Sequence, residues 1–494
     1  MQRISALVFA AAAAIGCAPP GSPDSEGPQA PILRDPAGSI RLLLNAPQGE
    51  GPQQGCHAEV CTSLLEMVDR ANKTIDFAVY GLRGQPQVLE GLRRAQARGV
   101  LVRGVVDRDA EGANYYDDTE ALVELVGHVR DDHEIDRRRA KEAARERDPE
   151  PRCERPAGFA GPVQCLAYDL GERCLLAAHS SRAPIDDGAA IMHNKFFVVD
   201  GRWVWTGSTN VSDTGTGGYN ANLVTVIDSR RLASAYLREM DQMYEDGRFH
   251  EQKRSEGPLR VSLDDAEVEL MFSPQDAPIR ERIRPLVEQA RERIDVAVFY
   301  LTHKRLTADL IDAHLRGVQV RVIIDGTAAT NGFTKHELLR AVGIPVKVEG
   351  WGGKMHMKSA MIDRHTVVTG SMNWTTAGDS TNDENVVIVH SEKVAAQYGE
   401  FFDQLWGDID ARWLSTNPDP ESLSSGTACS DGIDNDYDGK ADAEDPGCGA
   451  EPPPRPDLPP WQIVDKGGRM TCEPEMMHSR LARVATDRAL ADAR

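Results

Sequence analysis

Two segments of the chain carry one alternation of apolar and polar positions: "TIDFAVYGLRGQPQVLEGLRRAQARGVLVRGVVD" (Thr74 to Asp107) and "RIDVAVFYLTHKRLTADLIDAHLRGVQVRVIID" (Arg293 to Asp325). Each opens on a short apolar run, continues with apolar residues at helical spacing, and returns to an apolar run after Arg-Gly-Val. That pattern predicts a buried strand, an amphipathic helix and a second strand. A helical segment precedes each ("SLLEMVDRAN" and "PLVEQARER"), and earlier still stand the strand-like "IRLLLNAP" and "VELMFSPQ". The β-α-β order predicts an α/β fold of two related halves, each with a largely parallel sheet covered by helices.

A third apolar run has a different meaning. Ala6 to Ile15 follows the cationic Arg3 and is too short to span a bilayer as an ordinary helix, so residues 1–16 read as a signal peptide. The run ends in "AIGC", which resembles a bacterial lipobox with Ala14 where Leu is usual, and predicts lipidation at Cys17. A flexible tether rich in Pro, Gly and Ser is expected over 17–38. The expected location is therefore the cell envelope, anchored to a bacterial membrane, or secreted.

The halves differ in length. The offset is 219 between Ile75 and Ile294 but 163 between His193 and His356, which places 56 extra residues in the first half. The first repeat is expected over 39–250 with an insertion at about 109–190, the second over 251–415, and a tail over 416–494. The insertion contains the charge run "RRRAKEAARERDPEPR", expected to be a solvated helical face.

A net charge of -21 argues against wrapping nucleic acid through a broad basic face, though a small basic pocket stays open. Without Cys17, eight cysteines remain (Cys56, Cys61, Cys153, Cys165, Cys174, Cys429, Cys448, Cys472), an even set without zinc-site spacing that suits disulfides in an oxidising compartment. In the tail, "DNDYDGKADAED" sets Asp434, Asp436, Asp438, Asp442 and Asp445 at the oxygen-ligand spacing of a calcium loop, with Gly439 at the sharp turn. A structural calcium is expected there, with Cys429 and Cys448 closing the loop.

The catalytic candidates occur twice. Both copies read H-x-K-x4-D-x6-G-S-x-N: His193, Lys195, Asp200, Gly207, Ser208 and Asn210, then His356, Lys358, Asp363, Gly370, Ser371 and Asn373. Strand alternation puts each His and Lys on one face, and the Thr-Gly-Ser turn returns Ser and Asn beside them. Such a cluster holds and attacks a phosphate. In-line displacement needs one group to attack and another to protonate the leaving oxygen, which two copies supply.

The double motif resembles the phospholipase D superfamily, over roughly Ser39 to Trp413. The resemblance implies a bilobal fold with a pseudo-twofold axis and His193 and His356 as the catalytic pair. One histidine forms a phosphohistidine, and family precedent makes it His193; the other protonates the leaving alcohol and then activates water. It further implies that Lys195, Lys358, Asn210 and Asn373 bind the non-bridging oxygens, supported by Ser208 and Ser371, while Asp200 and Asp363 position strands within the catalytic motif. No catalytic cofactor is expected. Glu384, 28 residues after His356, is expected to orient that histidine, whereas the same offset from His193 falls on Ala221. Asn220, Asn222 or Asp213 are the candidates to serve His193. The expected activity is hydrolysis of a phospholipid to phosphatidate and head-group alcohol by a monomer. Superfamily alternatives are a metal-independent endonuclease and a cardiolipin synthase or transphosphatidylase; a non-catalytic calcium-stabilised surface-binding protein is the rival from another class.

Overall fold

The computed structural model describes residues 32–47, 51–143, 164–165, 176–177, 190–330, 334–436 and 439–449. The leader, Cys17, Cys153, Cys174, Asp438 and Cys472 lie outside them.

Each half builds one mixed sheet. In the first, the order is Ser39–Asn45, Asn222–Asp228, Trp203–Gly207, Lys195–Val199, Thr74–Val79, Leu101–Val106, Val129–Asp131. Only the last three strands run parallel to one another; the others pair antiparallel. The second half repeats the plan around Glu267–Ser273, Glu384–His390, Thr366–Gly370, Lys358–Ile362, Arg293–Val298, Gln319–Ile324 and Val346–Val348. The expected parallel pairing thus holds for the β-α-β portion, while each His-x-Lys strand enters a hairpin and reverses the sheet.

Three cores follow from that plan. The helices Glu59–Arg70 and Pro86–Ala97 cover the outer face of the first sheet, over Leu64, Phe77, Leu92 and Trp205. Lys304–Leu315 covers the second, over Leu306, Leu310, Val296 and Val322. The inner faces share a central core with Arg230–Tyr244 and Glu392–Asp408, where Phe196, Tyr236, Met240, Phe272, Tyr398 and Phe402 meet. Both helices start on a serine, Ser229 and Ser391, whose hydroxyl accepts the N–H three residues on, so the repeat extends to the caps. The shared core makes the halves one unit and sets their histidines against each other.

Two expected boundaries change. Ile32–Arg34, inside the expected tether, is a strand paired in parallel with Leu259–Ser262. Thr119–Val126 and Val129–Asp131 occupy the places that His336–Ala341 and Val346–Val348 hold in the second half, so the insertion begins after Asp132 rather than at 109. The offset is 217 from Asp132 to Glu349 and 163 from Met192 to Met355, leaving 54 inserted residues. Their described part opens with the helix His133–Ala143. The disulfides Cys56–Cys61 and Cys429–Cys448 are formed. Among the described residues no helix is long and apolar enough to cross a membrane.

Candidate active site

The two histidines stand at the starts of Lys195–Val199 and Lys358–Ile362, and each is tied to the opposite half. Met192 forms a bridge with Asp383, and the His193 N–H donates to the Asp383 carbonyl at 2.9 Å. Across the pseudo-twofold axis Met355 bridges Ala221, and the His356 N–H donates to the Ala221 carbonyl at 2.9 Å. Buried carboxyls hold the residue before each histidine: Met192 N–H donates to Asp107 at 2.8 Å and Asp132 at 3.2 Å, and Met355 N–H to Asp325 at 3.0 Å. Asp107 and Asp325 end equivalent strands, "VVD" and "IID", a repeat signal that could have marked them.

Those crossings decide which group orients which ring. Glu384 follows Asp383, and both its oxygens lie 2.9 Å from His193 Nδ1. It therefore serves His193, not the histidine of its own half. His356 Nδ1 instead meets the side-chain oxygen of Asn222 at 3.2 Å. Of the other candidates for His193, Asp213 accepts from Arg83 at 2.9 Å and Asn220 accepts the Lys354 N–H. Ser208 and Ser371, expected at the phosphate, stand behind these orienting groups: Ser371 Oγ donates to Glu384 at 2.7 Å, Ser208 Oγ to Asn222 Oδ1 at 2.8 Å. Counting from the serine gives 14 residues to Asn222 and 13 to Glu384, a one-residue slip that misdirected the count to Ala221.

Lys195 and Lys358 are each 1% exposed, and each donates to the carbonyl of its own histidine, at 2.9 and 2.7 Å. Burial pushes Lys195 down to about 7 and Lys358 well below the usual lysine range. Burial, with both lysines, also holds His193 and His356 well below the ordinary imidazole value. That each histidine feels both lysines places all four groups in one field. Glu384 is pushed up to about 8 by burial, against the pull of Lys195 and Lys358. The result is a dry pocket of two neutral rings and two under-protonated ammonium groups, which an anion would stabilise.

Asp200 and Asp363 are not in this pocket, which corrects their place among the catalytic residues. They sit at the far ends of the His-x-Lys strands with φ of 52° and 49°, where their carboxylates accept the backbone N–H groups of Asn72, Lys73 and Thr74, or Arg291, Glu292 and Arg293. They position strands, as the resemblance implies. Asn210 Nδ2 donates to the Tyr116 hydroxyl at 3.0 Å, while the amide oxygens of Asn210 and Asn373 are buried without a hydrogen bond. Exchanging O and N would let the Tyr116 phenol donate to Asn210 and free an NH₂ group for a phosphate oxygen.

Aromatic rings line the mouth. Tyr80 meets the His193 ring edge-on at 5.5 Å and touches Tyr115 and Tyr116; Tyr115 is 61% exposed. On the other side Phe299 lies 5.3 Å from His356 and packs on Tyr300. The tail also reaches this rim: Tyr219 Oη donates to Asp431 at 2.6 Å, and Asn435 Nδ2 to the Gly352 carbonyl at 2.9 Å. In the predicted calcium loop, Asp436 and Asp445 converge with Glu421, which the spacing had not indicated. Asp434 and Asp442 turn to backbone N–H groups instead, of Gly439 and of Asp431 and Gly432.

Comparison with known proteins agrees with this geometry. The family model "Cardiolipin synthase, PLD-like domain" matches residues 64–244 and 283–406. The mitochondrial cardiolipin hydrolase of Xenopus tropicalis is 31% identical over 141 residues, 28% of this chain and 67% of the relative. A phospholipase D of Rickettsia bellii is 36% identical over 137 residues, again 28% of this chain and 67% of the relative. The crystal structure of phosphatidylserine synthase from Haemophilus influenzae shares the fold at 12% identity and a TM-score of 0.50, covering 76% of this chain and 91% of that one.

Proposed function

The chain belongs to the PLD-like domain family, and from that premise we propose that it hydrolyses a phospholipid to phosphatidate and head-group alcohol. The observation that carries this is the crossed clamp of Glu384 on His193, with His356 and both lysines in the same buried pocket. His193 Nε2 attacks phosphorus while Nδ1–H is held by Glu384, which stabilises the cationic ring of the phosphohistidine. Lys195 and Lys358 take the charge that builds on the non-bridging oxygens, aided by Asn210 and Asn373. His356, neutral without substrate, takes up a proton as the anionic diester enters and, as imidazolium, protonates the departing alkoxide. The now neutral ring then takes a proton from water, whose oxygen attacks phosphorus and releases His193. The acidic chain and the aromatic mouth favour a lipid over a polyanion; lipidation at Cys17 would hold the enzyme at its substrate.

A metal-independent endonuclease is the second reading, favoured by the exposed Tyr115, on which a base could stack. Transphosphatidylation is the same chemistry with an alcohol in place of water. The test is product analysis on labelled phospholipid with a primary alcohol present, beside single-stranded DNA. Phosphatidate and phosphatidyl alcohol are expected; cleavage of DNA with no lipid turnover would move the assignment to nuclease.

A further inference from the structure

Behind the Met192–Asp383 bridge lies a buried network joining carboxylates to an imidazole and an ammonium, whereas behind the Met355–Ala221 bridge the described residues supply the buried carboxyls Asp325 and Glu349. Asp383 supplies both backbone bonds of the bridge, accepting from His193 and donating to Ile191, and Glu384 follows it directly. Its carboxylate accepts the His250 N–H at 2.8 Å and the Lys253 ammonium at 2.8 Å, with His250 Nδ1 at 3.1 Å. On the far side of the ring, His250 Nε2 meets Asp136 at 3.0 Å and Asp132 at 3.5 Å. His250 and Asp383 are 0% exposed and Asp136 is 3% exposed. The pieces come from separate elements: Asp136 from the insertion helix His133–Ala143, His250 and Lys253 from the connection between the halves, Asp383 from the second half. At the equivalent bridge on the His356 side stands Ala221, whose methyl group offers nothing to an ion pair or hydrogen bond.

We infer that Asp136, His250 and Asp383 form a positioning relay through which the insertion helix fixes the His193–Glu384 dyad. His250 takes φ +55° at the centre of this network, a conformation uncommon for a residue with a side chain. Burial alone would strip its proton, but the carboxylates of Asp383, Asp136 and Asp132 overcome that and raise it to about 10, so the ring is an imidazolium that donates from Nε2 to Asp136 and sets Nδ1 3.1 Å from Asp383. Burial opposes the charge on Asp383 too, yet Lys253 and His250 hold it below the usual carboxylate range. The remaining ionisable groups of the network are Asp107, beside Asp132 at Met192, and Glu239, paired with Lys253. Asp383 Oδ1 is held by the His250 N–H and by Lys253 together, and the backbone that carries it sets where Glu384 and His193 meet. Among the described residues, Asn222 is held by neutral groups, Ser208 Oγ and the Asn220 carbonyl.

The inference rests on the proposed role of His193, and the experiment separates the two. In the full chain, Asp136→Asn, His250→Gln and His250→Lys would be compared with wild type on bis(p-nitrophenyl) phosphate, and the histidine ring nitrogens followed by NMR. Expected are a fall in kcat of roughly tenfold or more for His250→Gln with KM unchanged, partial recovery in His250→Lys, and a shifted His193 resonance with His356 unmoved. Asp136→Asn should do the same more mildly, and it keeps the test available if the His250 variants do not fold. Lower melting temperature with kcat and the His193 signal unchanged would overturn the relay, as would equal movement of both active-site histidines. A divalent ion bound stoichiometrically and lost in His250→Gln would overturn the imidazolium. If wild type shows no turnover of any phosphodiester, the proposed function fails while the resonances still test the relay.

Discussion

The surroundings of His193 and His356 derive from one repeated phrase, yet they are built from opposite materials. His193 is surrounded by ionisable groups: Glu384 on its ring, Asp383 on its backbone, and a buried imidazolium and ammonium behind. His356 is held by neutral groups: the Asn222 amide on its ring, Ala221 on its backbone, and outside them the tail docked through Tyr219 and Asn435. The two-step reaction proposed above would use this difference. A nucleophile that becomes a cationic phosphohistidine gains from a carboxylate, whereas a group that must release and regain a proton is better served by an amide that does not fix its charge.

The sharpest way to break the comparison is to exchange the orienting groups. Glu384→Gln should cost a factor on the order of 10²–10⁴ in kcat, the scale seen when a histidine loses its orienting carboxylate or a site loses one charge-stabilising donor. Asn222→Ala should cost less than tenfold, since the amide orients but carries no charge. Rapid-quench measurement with a p-nitrophenyl diester separates the steps: Glu384→Gln should lose the burst of p-nitrophenol, and Asn222→Ala should keep it. Equal losses in both would show the two sides to be equivalent.

The lysines sharpen it through pH. With Lys195 held at about 7 and Lys358 well below the usual lysine range, the pair is short of protons at pH 8, and a bound anion raises both again. Binding at pH 8 should therefore take up protons, and affinity should fall as pH rises through 7, by up to tenfold per unit for each proton taken up. Tungstate keeps its charge over this range, so titration calorimetry in buffers of different ionisation enthalpy reads the uptake directly. Proton release, or affinity flat from pH 6 to 9, would contradict a desolvated lysine pair.

The smallest expected effect belongs to the tail on the His356 side. If a cation sits among Glu421, Asp436 and Asp445, chelation should lower the melting temperature by a few degrees while initial rates on a phosphodiester stay within about twofold. Rapid, calcium-reversible loss of all turnover would instead place the metal in the chemistry.

Much of this was legible along the chain. The strand–helix–strand pattern, its repetition and the His-x-Lys phrase are local, because side-chain periodicity and turn chemistry act over a few residues. They carried the two-half α/β plan, the candidate pair His193 and His356, the structural duty of Asp200 and Asp363, and the Cys429–Cys448 closure. Partnerships across the axis were not legible. Glu384 lies 28 residues from His356 in sequence and yet holds His193, 191 residues away. His250 and Asp136, separated by 114 residues and singled out by no motif, meet only because the insertion helix packs against the connection between the halves. Sequence determines which groups each half can offer, since that follows from residue type and local period. Only the shared core decides which half receives them, because burial of the apolar inner faces sets the docking and the docking crosses the two chains of contacts.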